Sequence, residues 1–64
     1  MAFKEKRKIA GLNQRQVSIL LGVSHSAVSM WETGKSFPRA TLLPKLAALY
    51  NCTIDDLLER DKAV

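Results

Sequence analysis

The sequence predicts an all-α fold of five short helices. Apolar residues recur at three- and four-residue spacings instead of alternating, which is the period of a helix with one buried face. The runs open on residues that cap helices (Asn13, Ser24, Thr41, Thr53), and three close on glycine (Gly11, Gly22, Gly34). No stretch carries a strand pattern, and neither proline, Pro38 nor Pro44, needs to sit in a helix interior.

The first helix is placed over residues 2–10, with Phe3, Arg7 and Ala10 at i, i+4 and i+7. Gly11 ends it and Leu12 plugs the turn. Asn13 then acts as an N-cap, and Gln16 three residues on completes a capping box. The second helix runs from Gln14 to Leu21, with Val17, Leu20 and Leu21 on one face, and Gly22 stops it. Ser24 caps the third helix, His25 to about Thr33, which turns Val28 and Trp31 inward and ends at Gly34. Lys35 to Pro38 is a loop. With Thr41 as N-cap, Pro44 falls in a first turn, where no intrahelical donor is lost. The fourth helix therefore spans Thr41 to Tyr50, with Leu42, Leu43, Leu46, Leu49 and Tyr50 as its apolar stripe. Asn51 breaks the pattern. Thr53 caps a fifth helix whose first turn holds Asp55 and Asp56, favourable to the macrodipole, and whose buried face is Ile54, Leu57 and Leu58. Residues 60–64 are expected to fray.

The chain of 64 residues reads as one domain, 1–64, with a thin stability margin. Its hydrophobic content of 47% argues against disorder, and no apolar run approaches the length of a membrane span. The basic N-terminus lacks the apolar stretch of a secretory signal. The one cysteine, Cys52, cannot staple a domain, and this points to a reducing cytoplasm. The net charge of +4 is unevenly spread. Residues 1–15 hold five cations against Glu5, whereas residues 51–64 hold Arg60 and Lys62 against four acids. A basic front and an acidic tail suit an anionic partner that touches one side.

Gln14 to Gly34 is the most telling span. Two short helices joined by Gly22-Val23-Ser24 must cross steeply, the geometry of a helix-turn-helix whose second helix fits a DNA major groove. The order of features resembles the lambda-repressor-like, or XRE-type, DNA-binding domains, which include the phage repressor and Cro families. The family favours a run such as GLSQxxLAxxLGVSxxxISxWExG; Gly11 to Gly34 reads GLNQRQVSILLGVSHSAVSMWETG. A proline four residues on (Pro38), a leucine-rich helix and a closing motif like VSLDELL (here Cys52 to Leu58, CTIDDLL) extend the match over Phe3 to Leu58. The resemblance implies a compact five-helix domain with the helix-turn-helix at its second and third helices. Ser18 departs from the family's alanine at the close contact between those helices, and serine is small enough for the crossing to survive. Ile19 and Leu20 replace polar residues, and Met30 replaces a position often held by arginine, lysine or glutamine.

With Val28 and Trp31 inward, the opposite face of the third helix holds Ser26, Ser29, Met30 and Thr33, with His25 at its tip. The resemblance places His25, Ser26 and Met30 at base edges, with Ser29 beside them. Histidine donates or accepts according to tautomer, serine is promiscuous, and Met30 packs on a thymine methyl. The helix has no Arg, Lys, Asn or Gln for bidentate contacts, so direct readout is expected to be modest and supplemented by DNA shape or water. The resemblance also implies a phosphate contact for Gln14 at the start of the second helix. Arg15, Gln16, Ser24, Thr33, Lys35, Ser36 and Arg39 are further candidates for the DNA backbone. Arg7 and Glu32 match positions that pair across the first and third helices, and as a surface pair would contribute under about 1 kcal/mol. Gly22 and Trp31 are structural, Trp31 as core more than as a stacking platform, and Cys52 is read as inert packing.

His25 has no second histidine or acidic neighbour, so no metal site, cofactor or catalytic pair is expected, and the chain is not read as an enzyme. Two functions remain. The first is sequence-specific binding of double-stranded DNA by a prokaryotic or phage transcription regulator, a repressor, acting as a homodimer on a palindromic operator. The dimer would use this domain itself, at the fifth helix and the loop before the fourth. The second is a protein-interaction module, antitoxin-like or anti-repressor-like, that keeps the fold with weak DNA reading; Met30, Ile19, Leu20 and the small residues of the third helix support it.

Overall fold

Local hydrogen bonds set where each helix starts and stops. In the computed structural model, which describes residues 1–59, α1 spans Phe3–Ile9, α2 Gln14–Leu21, α3 His25–Thr33, α4 Leu43–Leu49 and α5 Ile54–Leu58. A 3-10 turn over Ala40–Leu42 precedes α4, and no strand occurs among the described residues. The tail expected to fray lies outside the described residues.

The capping box of α2 is complete. The Gln16 N–H donates to Asn13 Oδ1 at 2.8 Å, and the Asn13 N–H donates to Gln16 Oε1 at 2.9 Å. At the other end Gly22 takes φ 68°, a left-handed backbone that glycine adopts without a Cβ penalty. That bend lets the Val23 N–H return to the Ser18 carbonyl at 3.0 Å and aims Ser24 at the next helix. The Ser24 hydroxyl then accepts the Ala27 N–H at 3.1 Å, and α3 begins. Thr53 and Asp56 form a second capping box, 3.0 Å in both directions. Asp56 thus binds the Thr53 N–H as well as complementing the helix dipole.

The fourth helix is shorter than the sequence implies. It does not start from a Thr41 cap: Pro44 sits in the first turn of α4, and no side chain caps either the helix or the turn before it. Proline has no N–H for the Ala40 carbonyl, so the Leu43 N–H takes that carbonyl in the tighter 3-10 pattern. After Leu49 the chain reverses through Asn51 at φ 55°, a left-handed value that asparagine tolerates. The Cys52 N–H closes the turn on the Ala47 carbonyl at 2.9 Å.

The core joins all five helices: Phe3 from α1, Val17 from α2, Val28 and Trp31 from α3, Leu46 and Ala47 from α4, Leu57 from α5, with Leu42 and Tyr50 flanking α4. Leu43, Leu49, Cys52, Ile54 and Leu58 are only partly buried against it. The Ala2 N–H donates to the Leu57 carbonyl at 3.0 Å, tying the start of α1 to α5. One side of α2 departs from the expected stripe. Leu20 is 60% exposed, while Ser18 is buried at 7% exposure and donates its hydroxyl to the Arg15 carbonyl at 2.7 Å. Val17 and Ser18 are the buried residues of α2, and Leu20 stands outward beside Ile19. Among the described residues no helix is long and apolar enough to cross a membrane.

Candidate nucleic-acid interface

Burying Val28 and Trp31 leaves α3 with an outward face. His25, Ser26 and Met30 are exposed along it and Ser29 is half-exposed. His25, Ser26, Ser29 and Met30 line an open concavity closed on its flanks by Gln14 of α2 and Lys35 of the following loop. The four residues expected at base edges and two of those expected at the backbone therefore share one surface. Ser24 and Arg39 line a second hollow, beneath the Gly22 turn, together with Phe37. Arg15, Gln16 and Ser36 are exposed but border neither hollow.

Hydrogen bonding decides what each candidate has left to offer. The Ser24 oxygen accepts from Ala27, so its hydroxyl proton remains free to meet a phosphate. Gln16 spends its carbonyl oxygen on the capping box and keeps its amide N–H groups. Thr33 is less available, because its hydroxyl donates back to the Ser29 carbonyl at 3.2 Å and the Met30 carbonyl at 3.3 Å.

Arg7 and Glu32 lie deeper than a surface pair. The Arg7 Nε donates to Glu32 Oε2 at 2.6 Å and Nη2 to Oε1 at 3.1 Å, and the two side chains are 9% and 3% exposed. Arg7 Nη1 donates to the Leu12 carbonyl at 2.9 Å, which also pins the turn between α1 and α2. Burial by itself would raise the Glu32 carboxyl, but hydrogen bonds from Arg7 and Gln14 outweigh it and hold the group below the usual carboxylate range. The hydrogen bond to Glu32 outweighs burial at Arg7 and holds its guanidinium above its ordinary value. Tyr50, buried near this charge, is pushed up to about 12, first by desolvation and then by Glu32.

Gln14 connects the pair to the outer face. Its Nε2 donates to Glu32 Oε1 at 2.9 Å, and its Oε1 meets His25 Nε2 at 2.8 Å. A chain of contacts thus runs from α1 through α3 and α2 to the tip of α3. The second N–H of the Gln14 amide is still free for a phosphate oxygen. Sequence reasoning took Gln14 and His25 one at a time and missed this link; its only trace was a polar residue at the start of each of two adjoining helices. Phe37 was also passed over as part of a loop. Its ring packs edge-on against Phe3, with centroids 5.9 Å apart and planes at 72°, and so fastens the loop beyond α3 to α1.

A family model described as helix-turn-helix matches residues 3–57. The chain is similar to the HTH-type transcriptional activator BcrR of Enterococcus faecalis, 35% identical over 68 aligned residues that take in 100% of this chain and 33% of that protein. The chain therefore spans about a third of the length of this curated relative. No solved structure matches.

Proposed function

The chain belongs to the helix-turn-helix family of DNA-binding domains, and from that premise we propose that it is the sequence-reading domain of a cytoplasmic transcription regulator, with α3 in the major groove of double-stranded DNA. The observation that carries this reading is the outer face of α3. His25, Ser26, Ser29 and Met30 line one concavity with Gln14 and Lys35 at its edges, so groups suited to base edges are bracketed by groups suited to phosphates. Ser24 and Arg39 extend the backbone contacts on the other side of the turn.

Because α3 carries no Arg, Lys, Asn or Gln, each copy draws little energy from base edges. Two copies on a palindrome, with half-sites about 34 Å apart, supply what one lacks. Seated over a promoter, such a dimer represses by excluding polymerase. The relative from Enterococcus faecalis is named an activator; for this chain to activate instead, it would need a further contact to the transcription machinery. Selection from random duplexes tests the site sequence and half-site spacing together. An enriched palindrome supports the proposal, and recovery of unselected sequence refutes it.

A second reading rests on Ile19 and Leu20, which are 71% and 60% exposed on α2 beside a groove formed with Lys45, Ala48 and Leu49. A protein-interaction module would use that surface. It would capture a partner in fixed stoichiometry and bind all duplexes equally weakly.

A further inference from the structure

His25 holds two ring nitrogens, and the structure leaves them in different situations. Nε2 lies 2.8 Å from Gln14 Oε1. Nδ1 makes no hydrogen bond among the described residues. Which nitrogen carries the proton in the neutral ring depends on which end of the Gln14 amide faces it.

That end is determined from inside the domain. Glu32 is an ionised carboxylate locked to Arg7, and a carboxylate only accepts hydrogen bonds. The Gln14 group 2.9 Å from Glu32 Oε1 must therefore be the NH2, which turns the amide oxygen toward His25. An amide oxygen only accepts, so His25 Nε2 must donate. The neutral ring is then the Nε2–H tautomer, and its Nδ1 is a bare acceptor.

We propose that Gln14 is a positioning residue that fixes the hydrogen-bond polarity of His25, so that His25 reads an amino group on the contacted strand, adenine N6 or cytosine N4, through Nδ1. The proposal rests on the DNA-reading function above and adds a rule to it. At one base position the preference is for A or C over G or T, because only the first two present an amino donor in the major groove. Met30, Ser26 and Ser29 share the concavity but cannot impose this rule: a thioether has no donor, and a serine hydroxyl serves donors and acceptors alike.

Two measurements test it, one without DNA. The chain contains one histidine, so the ¹⁵N resonances of its ring are unambiguous. With its ring neutral, the free protein should show Nε2 protonated and Nδ1 bare. A protonated Nδ1, or a mixture of tautomers, overturns the polarity argument whatever the protein does with DNA. The second measurement uses the duplex recovered by random selection, with the A or C facing His25 replaced by its analogue lacking the amino group. Binding should weaken about three- to tenfold, the effect of one hydrogen bond. The same analogue should change nothing in His25→Ala, and its effect should shrink in Gln14→Met, which keeps the length of the side chain without its hydrogen bonds. An analogue penalty that persists undiminished in Gln14→Met overturns the positioning role. A wild-type protein indifferent to the analogue overturns base reading through Nδ1. Failure to recover any selected duplex refutes the DNA-reading function instead, leaving the tautomer result to stand on its own.

Discussion

Arg7 and Glu32 form a bidentate ion pair across 25 residues of chain, with Nε to Oε2 at 2.6 Å and Nη2 to Oε1 at 3.1 Å, and both side chains are almost wholly shielded from water. A pair in this setting behaves unlike an exposed one. Removing one partner strands a buried charge, which typically costs about 3–5 kcal/mol, whereas an exposed pair contributes about 1 kcal/mol or less. Glu32→Gln and Arg7→Met are therefore each expected to destabilise the domain by about 3–5 kcal/mol, a large part of the stability of so small a chain. The double variant Arg7→Met with Glu32→Leu should recover much of that loss, since no charge is left behind. Urea denaturation followed by circular dichroism checks this, and single-variant losses below about 1 kcal/mol would assign the pair to the exposed class.

The same carboxylate makes the fold acid-sensitive. Glu32 titrates below its ordinary value in the folded chain, so its contribution is fully present above the unfolded glutamate value of about 4.3. It is lost as pH falls from there through the lower folded value. Asp56, held down by its hydrogen bonds with Thr53 in the α5 capping box, acts in the same direction from about 3.9 downward. Melting temperature should thus fall steeply below about pH 4 and hardly change from 5 to 7. In Glu32→Gln the acid-side slope should be shallower.

What the sequence made legible was local. Asn13 with Gln16, Ser24 and Thr53 act within three residues of themselves, so their caps were readable without tertiary structure. Gly22 was readable for the same reason. Leu20 was not, because an eight-residue helix shows an apolar stripe but not its width, and the width depends on where α3 leans on α2. Serine at position 18 is buried where Leu20 was expected to be, and a polar letter concealed it. The depth of the Arg7–Glu32 pair depends on helices 25 residues apart, which no spacing along the chain records. Of the candidate interface, the outer face of α3 was legible in the sequence, but the hydrogen bonds that join Gln14 to Glu32 and His25 were not.

Gly22 holds φ 68°, and a Cβ built there meets nothing within 4 Å. The requirement is therefore conformational and not steric packing. Gly22→Ala should cost about 1–2 kcal/mol, the penalty of a left-handed backbone for an L-residue, and Gly22→Asn less. Both variants should keep their helical signal, and thermal melts should separate them in that order. A neutral Gly22→Ala would mean that the turn relaxes out of its left-handed form.

Ile19 and Leu20 are largely exposed on α2, with Leu20 at the rim of the groove it shares with Lys45, Ala48 and Leu49. Ile19→Lys and Leu20→Lys should change stability by no more than about 0.5 kcal/mol, as for surface sites in general. Under the DNA-reading function they should also leave sequence preference unchanged, as measured by competition between selected and scrambled duplexes. Loss of a captured partner protein together with intact stability would favour the interaction surface.

Lys35 and Met30 border the same concavity but should fail in different ways. A lysine at a phosphate releases a counterion on binding, so its contribution appears in the dependence of affinity on salt. Lys35→Ala should weaken binding to selected and scrambled duplexes by a similar factor and reduce the log–log salt slope by about 1. Met30 carries no charge and offers only an apolar surface, suited to a thymine methyl. Met30→Ala should leave the salt slope unchanged while narrowing the gap between selected and scrambled sites. Fluorescence anisotropy across a salt series measures both quantities on one protein preparation. The reverse pattern would move Lys35 to the base edges and take Met30 out of them, because a contact that discriminates between bases cannot be equally lost from every sequence.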